Sequence, residues 1–247
     1  MIGRRGALGG LLSGLLAGCG KVAESGPGGA LLGTVERWNR AAHRALTGRK
    51  ALAREFDKAD ISPFFRGNGT QDPGTPDYAA HAAAGFVDWR LGVGGLVVRP
   101  LALSLDELKA MPQRTQITRH DCVEGWSAIG QWTGVPLAHL LRLAGLQSGA
   151  RYIVLRCADT MSGGVPYYES IDAIDAFHPQ TILAHALNGA PLPVRNGAPL
   201  RLRVERQLGY KQAKYLTGIE AVASLEGIHG GKGGYWEDRG YQWYAGV

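Results

Sequence analysis

Cys122 stands in HDCVEGW, residues 120 to 126, between a charged run (Arg119, His120, Asp121) and a stretch that begins at Gly125 and Trp126. The chain has three cysteines in 247 residues, so each calls for its own account. Four readings of Cys122 compete. A lone cysteine is commonly a buried structural thiol. An exported chain offers a disulfide to Cys157 instead. A cysteine hydrolase needs a base and an orienting group, here His178 or His185 with Asn188 or Asn196. A soft thiolate ligand suits a metal that prefers sulfur. Zinc does not fit the last of these: the two thiols are 35 residues apart (157 minus 122), without paired-cysteine spacing or a His-Glu-x-x-His run.

The elements that must position Cys122 follow from pattern. Gln116 to Asp121 reads as a strand leading into it. FVDWRLGVGGLVVRPL, from Phe86, alternates apolar and polar residues on both sides of Gly94-Gly95, a β-hairpin signature. Ser104 with Glu107 forms a capping box ahead of a short helix that ends near Pro112. Pro136 opens a helix, PLAHLLRLAG, with Gly145 placed to stop it. Further strands are expected at residues 152–157, 181–187, 200–205 and 215–222, with Asn188-Gly189 and Asn196-Gly197 as tight turns. The expected fold is a mixed, strand-rich α+β domain.

The N-terminus carries Arg4 and Arg5, an apolar run from Ala7 to Ala17, and Leu16-Ala17-Gly18-Cys19. This reads as an export signal over residues 1–19, by a twin-arginine or secretory route, and its last four residues resemble a lipobox that lipidates Cys19. The run is too short and glycine-rich to span a bilayer. A flexible tether is expected over 20–33. The remainder, 34–247, with its core over about 60–224, is expected to be one domain, since 45% hydrophobic and 19% charged content supports a sizeable core. Residues 34 to 56 place Trp38, Ala41, Ala42, Ala45 and Leu46 at helical spacing, as in a docking helix. The stretch DISPFFRGNGTQDPGTPDY reads as an ordered, functional loop. Net charge is +6, but the arginines are scattered and form no basic run, which argues against a nucleic-acid partner.

TRHDCVEGWSAIGQWTGVPL, residues 118 to 137, resembles the molybdenum-ligating segment of the sulfite oxidase fold family, and within it the branch holding the catalytic subunit of periplasmic methionine sulfoxide reductase. That branch carries Cys-Val-Glu-x-Trp-Ser followed by Trp-x-Gly-x-Pro-Leu, here Cys122, Val123, Glu124, Trp126 and Ser127, then Trp132, Gly134, Pro136 and Leu137. NGAPLRLRVERQLGYKQAKYLTGIE, residues 196 to 220, is similar to the family's Asn-Gly-Ala-Pro-x-Arg segment and its later Lys-x-x-Lys turn. Two motifs in order make chance a poor explanation.

The resemblance implies a sulfite oxidase-type molybdopterin-binding domain. In it one molybdenum-molybdopterin (Mo-pyranopterin) cofactor is held with the Cys122 thiolate as the protein's metal ligand. It implies cofactor contacts at Asn196, Arg201, Gln212, Ala213 and Lys214, and at Asn68 and Phe65. Cys157 falls where relatives place a cofactor-contacting threonine, so the disulfide and metal readings exclude each other. Arg119 or His120 would favour the Cys122 thiolate; Arg119 is expected to meet an anionic or polarised oxygen, and His120 or Tyr168 to donate hydrogen bonds. Arg203 and Arg206 are expected on solvated surface.

The implied reaction is two-electron oxygen-atom transfer at sulfur or nitrogen: reduction of an S- or N-oxide, or oxidation of sulfite. Electrons are expected to pass through a separate protein, a membrane haem subunit or a cytochrome c, because no haem module is legible. The tail IHGGKGGYWEDRGYQWYAGV leaves no room for the family's immunoglobulin-like dimerisation domain, which makes a monomer the default, and it is expected to cap the pocket mouth or pack on the core. Location is expected in the periplasm or on the outer face of the cytoplasmic membrane, with a lipid anchor. The alternatives are a cofactor-free exported binding lipoprotein on the same fold and, third, the cysteine hydrolase.

Overall fold

The computed structural model describes residues 26–247, with side chains from residue 33 onward; the export signal and lipobox expected over 1–19 lie outside the described residues. The chain divides into two units, the second running from Arg49 to Val247. The first holds helix α1 (Gly26–Thr47), which bears out the helical spacing read there and begins inside the segment expected to be a tether.

The second unit is built on two five-stranded sheets. Its elements in chain order are α2 (Pro76–Ala83), β1 (Arg90–Gly95), β2 (Leu101–Ser104), α3 (Leu105–Ala110), β3 (Arg114–Cys122), β4 (Trp126–Pro136), α4 (Leu137–Ala144), β5 (Tyr152–Met161), β6 (Val165–Asp172), α5 (Ala173–Ala176), β7 (Ile182–Leu187), β8 (Ala190–Pro191), β9 (Arg201–Arg203) and β10 (Leu216–Val222). One sheet has the order β2-β1-β10-β5-β6; the other has β3-β4-β7-β8, with β9 also paired to β7. This is the strand-rich α+β architecture expected.

Local signals hold where the pairing is local. Ser104 and Glu107 close a capping box on α3, and Gly145 ends α4 in the left-handed region at φ 71°. Asn188 and Gly189, both at positive φ, turn β7 into β8. Asn196-Gly197 instead closes a 3-10 turn, Val194–Asn196, ahead of β9. Gly94-Gly95 is not the hairpin turn either: β1 runs through both and pairs in parallel with β10, Gly95 facing Ala221, while the chain turns later, before Leu101. A Cβ at Gly95 would lie 2.2 Å from the Ala221 carbonyl oxygen, so glycine serves strand approach rather than chain reversal.

The main core lies around Leu91, Leu108, Leu140, Leu155, Leu183 and Ile219, all buried. A second cluster of Phe65, Ala128, Trp132, Ile182, Ala184, Leu187 and Leu192 underlies the end of the β3-β4 hairpin.

Candidate active site

Cys122 is the last residue of β3 and pairs with Trp126, the first of β4, so it sits at the tip of a hairpin. Gly125, at φ 83°, completes the turn and donates to the Cys122 carbonyl at 3.1 Å. Glu124 locks the turn from its far side: its carboxylate accepts from Trp126 Nε1 at 2.9 Å and from the Gly69 amide at 3.1 Å. These two hydrogen bonds hold its pKa below the ordinary carboxylate range, so it is ionised.

Strand alternation divides the charged run before Cys122. His120 and Thr118, on the parity of Cys122, are buried, whereas Arg119 and Asp121 face the other way. Arg119 is 55% exposed in its side chain and pairs with Asp121, Nε to carboxylate at 2.9 Å. It therefore lies outside the site, which corrects its expected role at a substrate oxygen.

A cavity of about 220 Å³ opens beside Cys122. Asn68, Gln212, Ala213 and Lys214, four of the expected cofactor residues, line it. Asn68 Oδ1 is buried without a protein partner, as is Oδ1 of Asp159, another lining residue that sequence reasoning missed. Unsatisfied buried polar atoms are costly, so two around one cavity point to a polar ligand.

Arg201 and Asn196 do not line the cavity; they build the loops that do. Arg201 is fully buried and donates to the Asn196 carbonyl at 2.9 Å and the Gln212 carbonyl at 3.1 Å, with Nε left over. Asn196 in turn donates to the Arg66 carbonyl at 3.2 Å, tying down the Asn68 loop. Gly197 admits Lys214, since a Cβ there would come within 2.9 Å of the lysine Cβ. Lys214 Nζ donates to the Thr70 carbonyl and to the Arg195 carbonyl. Burial, then the nearby Arg201 charge, lowers the Lys214 pKa to about 7, and burial with Arg203 lowers that of Arg201 to about 9. Two cations kept short of counter-charge in one place suit a phosphate.

Phe65 packs beneath the site instead of facing it, edge-on to Trp132 at 5.0 Å and to His120 at 5.8 Å. Cys157 also stands off the cavity and packs against the main core; Asp159 and Met161, further along β5, reach the cavity in its place. Cys122 and Cys157 are both free thiols, so the disulfide reading is not realised. Tyr168 is turned to Asp238, at 2.6 Å, and the lining tyrosine is its neighbour Tyr167.

His120 lies behind the cavity wall. Burial, then the charges of Arg203 and Arg201, hold it neutral, its pKa well below the usual histidine value. It cannot serve as the cation that favours a Cys122 thiolate. Burial raises the Cys122 pKa instead, with Arg201 and Lys214 opposing weakly. Arg203, expected on the surface, is fully buried, as is most of Arg206. Arg203 lies over the Trp132 ring at 4.3 Å and forms a two-bonded pair with Glu205. The missed signal was the RLRVER alternation, which puts Arg201 and Arg203 on one strand face.

The family described as the oxidoreductase molybdopterin binding domain matches residues 79–226. The chain belongs to that family. A molybdopterin-binding oxidoreductase of this kind carries the molybdopterin cofactor, and the site tests that assignment on its own terms. The cavity offers acceptors without partners at Asn68 and Asp159, the amide of Gln212, and a cationic corner at Arg201 and Lys214, a polar set fitted to a polar heterocycle ending in phosphate. The chain is 41% identical over 97% of its length, and 84% of the relative's, to an Azospira oryzae protein named for a protein-methionine-sulfoxide reductase subunit, YedZ1. It is 41% identical over 56% of its length to the protein-methionine-sulfoxide reductase catalytic subunit MsrP of Xanthomonas axonopodis, of which that stretch is 46%. The chain thus matches less than half the length of its MsrP relatives. Among solved structures, the sulfane dehydrogenase SoxCD of Paracoccus pantotrophus superposes with a TM-score of 0.51 at 24% identity, over 56% of this chain and 39% of that one. The fold is the sulfite oxidase-type molybdopterin-binding fold expected from residues 118 to 137.

Proposed function

We propose that the chain binds its molybdenum-pyranopterin in the Cys122 cavity, with the Cys122 sulfur as the metal's protein ligand, and reduces sulfoxides. The observation that carries this reading is the position of Cys122: a thiol at a hairpin tip, lining a cavity where Asn68 and Asp159 leave buried polar atoms unpaired. When bound, the cofactor supplies two-electron oxygen-atom exchange. The chain's own residues do the rest. Glu124 and Gly125 fix the hairpin tip that presents the thiol. Gln212, Asn68 and Lys214 hold and orient the pterin, and Arg201 keeps the Gln212 backbone in place while meeting the phosphate's charge. The raised thiol pKa would be no obstacle, since Cys122 would bind a metal as the thiolate and give up its proton on doing so.

The cationic corner of Arg201 and Lys214 is assigned to the cofactor phosphate, which leaves ionised Glu124 as the charge on the lining beside Cys122; an uncharged sulfoxide therefore meets less repulsion there than sulfite does. The names of the relatives, which refer to methionine sulfoxide in protein, support the same class of substrate.

The basic, apolar, Leu-Ala-Gly-Cys start of the sequence supports export to the periplasm or outer membrane face, with Cys19 as a lipid attachment point. Among the described residues no helix is long and apolar enough to cross a membrane. A separate electron-transfer protein, a membrane haem subunit or cytochrome c, is proposed as redox partner, and a monomer as the working state.

The experiment is molybdenum per chain, by elemental analysis of protein from a host that makes molybdopterin, with Cys122→Ser alongside. Near-stoichiometric metal in the wild type, with altered coordination or occupancy in the variant, is the expected result. Metal bound identically in both would remove Cys122 from the coordination sphere.

A further inference from the structure

The family match ends at residue 226, yet two residues beyond it, Trp236 and Tyr241, line the same cavity as Cys122. We propose that residues 227–247 form the substrate-recognition wall of this pocket, with Trp236 and Tyr241 as specificity-determining residues for an uncharged S-alkyl sulfoxide; the proposal rests on the sulfoxide reading above.

The wall is built, not draped. Glu237, between the two aromatics, is fully buried and ion-paired to Lys211, which also pairs with buried Glu169. Tyr210 donates to the Gln242 carbonyl at 2.7 Å, the Leu208 amide to the Ala245 carbonyl at 2.9 Å, and Trp243 Nε1 to Ser170 at 2.8 Å. Lys211 directly precedes the Gln212-Ala213-Lys214 turn, so the tail is fastened to the segment that presents the cofactor residues.

Its two ring planes lie 31° apart with centroids at 5.2 Å, and Tyr241 is 41% exposed. Open aromatic surface at a cavity mouth is apolar area that a ligand can cover. Sulfur and its alkyl groups make favourable contacts with aromatic rings, whereas an anion meets the negative face of the ring quadrupole. Met161 and Tyr167, in the same lining, extend the apolar character.

The test is steady-state kinetics of the molybdenum-loaded enzyme on methionine sulfoxide and on dimethyl sulfoxide, for wild type, Trp236→Ala, Trp236→Phe and Tyr241→Ala. Each alanine variant is expected to raise KM for methionine sulfoxide about tenfold with kcat within a few-fold, and to lower the preference for it over the smaller dimethyl sulfoxide. Trp236→Phe is expected to restore KM, and the visible absorption of the metal centre and the melting temperature to stay at wild-type values. Quenching of intrinsic fluorescence by methionine sulfoxide, read without turnover, is expected in the wild type and diminished in Trp236→Phe. Unchanged KM in both alanine variants, or a fall in kcat that tracks loss of the metal absorption, overturns the proposal. A loaded wild type inactive on both sulfoxides overturns the reading of the reaction itself, and the proposal with it.

Discussion

Arg203 donates from its guanidinium to Nδ1 of His120 at 3.0 Å, between two side chains with no exposed surface. Because arginine only donates, Nδ1 must accept, and the proton of the neutral ring therefore sits on Nε2. That nitrogen faces the Gln212 side chain on the cavity wall, its hydrogen-bonding neighbour. Arg203 thus fixes the tautomer of a histidine placed just behind the cofactor-presenting turn.

Removing Arg203 strands more than His120. Its pair Glu205 is also fully buried, and breaking a buried pair by deleting one partner costs about 3–5 kcal/mol. Arg203→Met is expected to lose stability in that range by urea denaturation, and Arg203→Met with Glu205→Leu to recover much of it. A double variant no more stable than the single one would mean that Arg203 acts mainly through Trp132 and His120.

Gly209 tests the same corner by size. A Cβ there would lie 2.5 Å from His120 Nε2 and 2.7 Å from its Cε1, so the ring must move. Gly209→Ala is expected to cost roughly 1–3 kcal/mol, the usual range for overpacking. It is also expected to lower molybdenum occupancy, since the displaced ring abuts the strand that ends in Cys122. Wild-type stability and wild-type metal content together would show that the corner yields freely.

Lys214 gives the cofactor-free protein a pH dependence of definite sign. Its pKa is about 7 in the fold and 10.5 as an ordinary lysine, so between those values the unfolded chain holds the proton that the fold has lost. Stability then rises with pH across that window, by at most about 1.4 kcal/mol per pH unit for one group. Denaturation curves from pH 7 to 10 are expected to show this slope in cofactor-free wild type and a flatter one in Lys214→Met. Cofactor phosphate should restore the lysine's charge, flattening the slope in the loaded protein as well.

Cys157 separates the cofactor contact from the core. It packs against the main core and not on the cavity, and burial, followed by the Asp159 and Glu169 charges, raises its pKa well above the usual thiol value. Cys157→Thr is expected to keep molybdenum near the wild-type content, whereas Cys122→Ser alters it. Alkylation of the unfolded, unreduced protein is expected to modify both residues, as befits free thiols; protection of both until reductant is added would restore the disulfide.

Much of this protein is legible along the chain. The strand leading into Cys122, the capped helix after Ser104, the stop at Gly145 and the later strands depend on residues within a few positions of each other, and local sterics and hydrogen bonds dictate them, whereas the returning strand Trp126–Pro136 was not legible. The two motifs at 118–137 and 196–220 likewise carried the family resemblance, and both fall within the residues that the family matches. Even the contrast between Arg119 and His120 was implicit in strand alternation. Pattern alone, however, does not say which face turns inward, and the burial of that face against Trp132, Phe65 and Arg203 decided it.

What lay beyond the sequence was every relationship whose partners are distant and whose energetics run against habit. Arginine usually seeks water, so Arg203 was expected on the surface, yet a tryptophan face and a buried glutamate satisfy it inside the fold, while Arg201 gives two donors to loop carbonyls and keeps Nε unpaired. Tyr167 rather than Tyr168 faces the cavity because the register of β6 against β5 sets the side. Trp236 and Tyr241 of the tail reach the pocket because Lys211, Glu169 and Glu237 meet inside the fold, three charges drawn from segments far apart in the chain. Local chemistry specified the elements, and the resemblance of two motifs implied the cofactor; only long-range burial, which sets desolvated charges against particular partners, assembled the site.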